Sequence, residues 1–229
     1  MHTIDDSITT ELASSYYNVA TFILSFTNCH LLEYARFREC KTVGQGVMRY
    51  CDGLKKVIFD KCTNILSTPS ALEACKNLEE VEVEGAIFLG NANQVVRECP
   101  KLRRIYCPNI TGINTWNDTV IQNCPNLIDI EFGEKIGGNL NISSYRPTNA
   151  LLSDSQSLLT EEDIDKGFTC NLEKFLWNWK NHVAANLPDR SGTDSWTITF
   201  SQDVRDALTE EIEAAFTAKN WNIAPAKSV

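Results

Sequence analysis

The sequence predicts an α/β fold of stacked units sharing a parallel sheet, on three observations. The pattern apolar-x-x-Cys-x-x-Leu-x-x-apolar-x-apolar occurs five times. Its copies centre on Cys29/Leu32/Ala35/Phe37, Cys51/Leu54/Val57/Phe59, Cys75/Leu78/Val81/Val83, Cys99/Leu102/Ile105/Cys107 and Cys124/Leu127/Ile130/Phe132. The apolar residue three places ahead of each Cys is Phe26, Met48, Leu72, Val96 or Ile121. The five cysteines are 22, 24, 24 and 25 residues apart. Each copy ends in alternation, the mark of a strand with one buried face. A twenty-odd-residue period with leucine and aliphatics at fixed offsets is the signature of a leucine-rich-repeat solenoid.

Each unit then divides into three parts. The residues ahead of the Cys, such as Ala71-Leu72-Glu73-Ala74 and Gln94-Val95-Val96-Arg97, suit short helices. A turn through the Cys follows, and then the strand. No unit buries its own apolar side, so neighbours stack and the strands align in parallel. The cysteine is a small hydrophobe filling the turn. Residues 1–24 are expected as an N-terminal cap, with Ser7 or Thr9 starting a helix through Leu12, Tyr16 and Val19, because an uncovered first repeat exposes core. Residues 25–135 hold the five repeats. Beyond each strand, Val43-Gly44, Leu66-Ser67, Leu89-Gly90 and Ile113-Asn114 mark a return path on the other side. The loop after it lengthens along the array and ends at Asn114-Thr115-Trp116-Asn117-Asp118.

Residues 136–170 read as an irregular connection, entered through Gly133, Gly137 and Gly138. Within it, Thr160-Glu161-Glu162-Asp163 has the form of a helix start. Residues 171–229 form a helix-strand-helix-strand C-terminal cap of longer elements, completing one continuous domain. Leu172, Phe175, Leu176, Trp179 and Val183 fall on one helical stripe. Trp196, Ile198 and Phe200 alternate as a strand. Val204, Leu208, Ile212, Ala215 and Phe216 face inward from a second helix, and Trp221 and Ile223 belong to a last strand.

Composition narrows the function. With 43% hydrophobic residues over 229 the chain can bury a sizeable core. A net charge of −9 offers no field for nucleic acid or an anionic membrane. No apolar run approaches the ~20 residues of a membrane helix, so no membrane insertion is expected. Val19 to Leu24 follows Asp5 and Asp6 rather than a basic region and makes a poor signal peptide. The protein is expected to be secreted or on the cell surface if an export signal precedes Met1, and otherwise intracellular or particle-associated. The nine cysteines lack the close pairs of a zinc site, so the repeat cysteines Cys29, Cys51, Cys75, Cys99 and Cys124 are read as buried free thiols. No metal and no cofactor is expected.

The stretch from Thr42 to Val57, Thr-Val-Gly-Gln-Gly-Val-Met-Arg-Tyr-Cys-Asp-Gly-Leu-Lys-Lys-Val, resembles one repeat of the BspA-like leucine-rich-repeat family. The resemblance covers roughly residues 25–135, and Ala218 to Ala224 is similar to that family's C-terminal caps. It implies a bacterial, mostly cell-surface protein that adheres to host proteins.

Chemistry is sparse. His2, His30 and His182 have no motif partners, and no phosphate loop, metalloprotease helix or nucleophile elbow is present. The chain is therefore expected not to be an enzyme but an interaction module for protein or glycan, with a structural subunit of a phage or secretion particle as the alternative. Two columns stand beside the repeat leucines: Glu33, Lys55, Glu79, Arg103, Ile128 and Tyr34, Lys56, Glu80, Arg104, Asp129. Their charges alternate in sign from strand to strand, which predicts register-holding ladders. The candidate ligand-binding residues are Trp116, Asn117 and Asp118 in the longest loop, and Trp177. Five steps of 100° place Trp177 about 140° around its helix from Leu172, off the buried stripe.

Overall fold

The computed structural model describes residues 2–6, 26–38, 40, 42–43, 48–62, 64–65, 72–83, 87–88, 96–111, 121–133 and 136–228. It is a mixed α/β structure with parallel sheets and few, short helices. The main sheet runs β1 (His2–Asp6), β2 (Leu32–Phe37), β5 (Lys56–Phe59), β8 (Glu80–Val83), β11 (Arg104–Cys107) and β14 (Asp129–Phe132), in that spatial order and parallel throughout. A second sheet holds β4 (Met48–Arg49), β7 (Leu72–Glu73), β10 (Val96–Arg97) and β13 (Ile121–Gln122). A third holds β3 (Thr42–Val43), β6 (Asn64–Ile65), β9 (Ile87–Phe88) and β12 (Ile110–Thr111). The C-terminal part adds β15 (Leu140–Asn141), β16 (Trp196–Thr199) and β17 (Trp221–Ala224) as a small parallel sheet. Its helices are α1 (Glu161–Asp165), α2 (Asn171–Asn178), which continues as a π-helical turn over Trp179–Ala184, α3 (Gln202–Ala207) and α4 (Glu210–Ala218).

The Cys-x-x-Leu spacing has a direct structural cause. In all five copies the Leu amide donates to the Cys carbonyl, at 3.0–3.3 Å, which closes a turn of the i to i+3 kind. The residue just ahead of each Cys is left-handed: Asn28, Tyr50, Ala74, Glu98 and Asn123 have φ between 53° and 63°. That reversal turns the second sheet's strand into the Cys turn. It also aims an amide at the next unit: Asn28 N–H bonds Arg49 O, Tyr50 bonds Glu73 O, Ala74 bonds Arg97 O and Glu98 bonds Gln122 O, at 2.9–3.0 Å. At Gly53, inside one turn, a Cβ would sit 2.2 Å from the His30 carbonyl oxygen, so only glycine fits.

The core lies between these layers. Ala35, Val57, Val81, Ile105 and Ile130 of the main sheet are buried, and so are Met48, Leu72, Val96 and Ile121 of the second. Each of these side chains except the small Ala35 contributes about 1.5–3 kcal/mol relative to exposure. Cys51, Cys75, Cys99 and Cys124 are free and fully buried, and Cys29 is partly so. The Cys51 and Cys75 thiols donate to Phe26 O at 2.7 Å and Met48 O at 3.4 Å. A hydrogen bond with Cys75, then burial, pushes the Cys51 thiol far up. At Cys75 the bond with Cys51 pulls down, but the bond with Cys99 and burial carry it to about 12.

Three expectations need correction. The short helices placed ahead of the cysteines are strands at Leu72–Glu73 and Val96–Arg97. Tertiary pairing with Met48–Arg49 and Ile121–Gln122 overrides a modest helix propensity, and Arg49 ion-pairs Glu73 across the pair at 2.9 Å. The second C-terminal helix is two. Leu208 is extended, and Thr209 starts afresh by accepting the Ile212 amide, while Val204, Leu208, Ile212 and Phe216 are buried as expected. The 136–170 connection is more ordered than its composition suggests: it adds β15, while α1 begins where Thr160-Glu161-Glu162-Asp163 announced a helix start. Buried Asn171 holds it, donating to Ala150 O at 2.9 Å and accepting the Leu158 amide at 3.1 Å. At the other end β1 extends the main sheet beyond β2, a strand the sequence did not announce. The helix expected through Leu12 and Val19 lies outside the described residues.

Candidate functional site

The C-terminal part covers the last strands of the main sheet and leaves a cavity of about 510 Å³ against β8, β11 and β14. The cover is positioned locally. Thr160 and Asp163 form a reciprocal capping box on α1, with Thr160 N–H to Asp163 at 2.9 Å and Asp163 N–H to the Thr160 hydroxyl at 3.1 Å. On α2, Lys174, Trp177 and Asn178 share one face by their spacing of three and four, opposite the stripe that buries Phe175 and Trp179. The π-helical turn, marked by Ala185 N–H bonding Lys180 O, carries His182 onto the cavity wall as well. Asn178 also caps the sheet, since its Oδ1 accepts the Ile130 amide of β14 at 3.0 Å.

A buried charge cluster forms the inner end. Lys174, 5% exposed, pairs with Asp129 at 2.9 Å and Asp163 at 3.1 Å. Its ammonium lies over the Phe168 and Trp177 rings, 5.0 and 5.3 Å from their centroids. Arg103 joins from the sheet, reaching Asp163 at 3.4 Å and donating to the Leu158 carbonyl. Burial pushes the Asp163 carboxyl up, but the Thr160 amide and hydroxyl and Lys174 outweigh it and hold it below its ordinary range. At the rim the mutual ion pair raises Lys166 and lowers Glu162.

The charged columns sit in the predicted register. Tyr34, Lys56, Glu80, Arg104 and Asp129 face one another in sequence. Lys55 pairs with Glu33 at 3.2 Å and Lys56 with Glu80 at 2.8 Å. The strongest knot is diagonal: Glu82 takes both Lys56, at 2.7 Å, and Arg104, at 3.2 Å. Arg103 leaves its column for Asp163.

Of the predicted site residues, Trp177 lines the cavity and is 39% exposed. Phe168 meets its ring edge-on at 5.4 Å, and His182 lies tilted 4.8 Å away. His182 Nδ1 is 3.3 Å from Glu131, a partner that no sequence motif announced. Trp116, Asn117 and Asp118 lie outside the described residues. Sequence reasoning passed over Lys174, Asp163 and Asn178. The available signal was a Lys and an Asn four apart beside an apolar stripe, on a helix with no solvent-facing need for either. Among the described residues no group of three or more His, Cys, Asp or Glu is placed to hold a metal ion, and no helix is long and apolar enough to cross a membrane. No protein-family model, curated protein or solved structure matches the chain.

Proposed function

We propose that this chain is a non-enzymatic interaction module, a BspA-like leucine-rich-repeat solenoid working at a bacterial surface, and that the cavity against β8, β11 and β14 is its ligand site. The observation that carries the reading is a formed cavity, within the 300–1,000 Å³ range of ligand pockets, with the exposed Trp177 on its wall. Exposed tryptophans are uncommon and concentrate at binding hot spots. Five Cys-x-x-Leu turns of one geometry support the leucine-rich-repeat assignment. Binding is favoured over catalysis because the chemistry here is already committed. The Thr160 hydroxyl donates to Asp163, and Lys174 is held by two carboxylates. Surface placement and adhesion rest on the family resemblance.

The test is ligand-observed NMR with a library of amino acids, short peptides and small sugars, on the native chain and on Trp177→Ala. Library members should bind the native chain and lose most of their signal with the variant. Binders indifferent to Trp177→Ala would place the ligand site elsewhere.

A further inference from the structure

The five turn cysteines form a column in which each thiol hydrogen-bonds its neighbour: Cys29 with Cys51, Cys51 with Cys75, Cys75 with Cys99 and Cys99 with Cys124. Cys51, Cys75, Cys99 and Cys124 are fully buried, so a reagent in solution does not reach them in the folded chain. Cys29, at the end of the column, is only partly buried. It is the column's one point of entry.

The two turns at that end are stacked in register. On one side of the cysteines, Asn28 N–H bonds Arg49 O at 2.9 Å. On the other, Gly53 lies so close to the His30 carbonyl that a Cβ would clash with it. Between these, Cys29 N–H and Cys51 Sγ share one acceptor, the Phe26 carbonyl, at 3.3 and 2.7 Å. The spacing set by neighbouring parallel strands is about 4.8 Å, within the Cα separation of about 4.4–6.8 Å that a disulfide spans. Losing the Cys51 S–H leaves no orphaned acceptor, because the Cys29 amide still holds the Phe26 oxygen.

We infer that Cys29 and Cys51 are a redox site: a disulfide between them closes in the presence of a small disulfide oxidant and reopens on reduction, stapling the first turn to the second. The Cys29 thiolate attacks one sulfur of the oxidant, here oxidised glutathione, and expels a glutathione thiolate. The Cys51 sulfur then attacks the Cys29 sulfur of the mixed disulfide and expels the second glutathione. Two cysteine thiols are oxidised, one glutathione disulfide is reduced to two thiols, and the two cysteine protons end on those thiols. Burial, then Cys51, raises the Cys29 thiol above its ordinary range, so the attacking thiolate is scarce at neutral pH and the first step accelerates as pH rises. None of this depends on what the cavity binds.

The reduced native chain is incubated with oxidised glutathione at pH 7 and at pH 9. The remaining thiols are alkylated after unfolding, and the peptides are mapped by mass spectrometry. Cys29 and Cys51 should appear as one linked pair, formed about tenfold or more faster at pH 9. Cys170, partly exposed and bonded to no other thiol among the described residues, should stop at a glutathione adduct. The linked chain should have a higher urea midpoint than the reduced one, and dithiothreitol should restore the reduced value. Cys29→Ser should leave Cys51 unmodified, and Cys51→Ser should hold the reaction at glutathione on Cys29, with a thermal melt checking that both are folded. If Cys51→Ser is unfolded, the peptide map of the native chain decides alone. Glutathione persisting on Cys29 of the native chain would overturn the inference, as would a Cys29 that stays alkylatable or links to any other cysteine. A Cys51 oxidised in Cys29→Ser would overturn the point of entry, and a linked chain with a lower midpoint would overturn the staple.

Discussion

The residue ahead of each turn cysteine carries a backbone cost that its side chain does not always suit. Asn28 and Asn123 tolerate φ near +60°, because a short polar side chain can bond locally there. Tyr50, Ala74 and Glu98 hold the same conformation without that relief, at about 1–2 kcal/mol each. Ala74 is the clearest case, being only partly buried and having no polar group. Ala74→Asn should therefore stabilise the chain by about 0.5–1 kcal/mol, read as a higher urea midpoint at unchanged slope. A lower midpoint would mean that the left-handed turn at this position is not strained. The turn itself was half visible beforehand: the Cys-to-Leu spacing of three is a turn length, but φ has no signature in Tyr, Ala or Glu.

At the level of elements, the strands are held in register by charge as well as by the core. Lys56 and Arg104 converge on Glu82, whose side chain is 15% exposed. Glu82→Lys would set a third cation diagonal to Lys56 and Arg104, with Glu80 the one carboxylate left in register between them. The expected loss is about 2 kcal/mol, between that of an exposed pair and that of a buried one. Added salt should recover part of it. If the variant melts like the native chain at low ionic strength, the pairing is ornamental. The alternating columns could be read from the sequence because parallel strands in register put equivalent residues opposite one another. Their diagonal partners could not, since the reach of a lysine is not a matter of register. The short strands β7 and β10 were hidden for a related reason. Two residues are too few for a period, and only their neighbours make them strands.

For the whole molecule, the titrating groups predict a plateau of stability with two flanks. Arg205 first, then Lys227, hold Glu213 down to about 2 against the opposing pull of burial, and Asp163 also lies below its ordinary range. Depressed carboxyls stabilise the fold above their unfolded values, about 3.9 for Asp and 4.3 for Glu. That contribution is lost as pH falls from about 4.5 toward 2. The buried thiols work in the other direction. Burial raises Cys107 to about 12, Cys75 lies at about 12, and Cys51 and Cys99 lie well above the ordinary range. Raised thiols stabilise fully below the unfolded value near 8.5, and that stability drains as pH climbs past it toward 12. Urea midpoints measured from pH 2 to 11 should be flat between about 5 and 8 and fall on both sides. A midpoint still rising from pH 8 to 10 would contradict the buried, protonated thiols.

The sequence by itself determined the in-register parallel strands, the buried cysteines and the apolar stripe of α2, because these depend on periodicity, and periodicity is a local property. A side chain that recurs every second or every fourth residue meets the same neighbours whatever the rest of the chain does. The cavity was decided only by the tertiary structure. Asp129 lies 34 residues before Asp163 and 45 before Lys174, and no pattern within a window relates a helix to the strand it will cover. Their meeting follows from Asn178 docking on the open edge of β14 and from Asn171 tying the connection down over it. The π-helical turn that brings His182 to Glu131 is of the same kind. It inserts one extra residue into the helical ladder, with Ala185 N–H reaching back to Lys180 O, a shift that apolar periodicity does not encode.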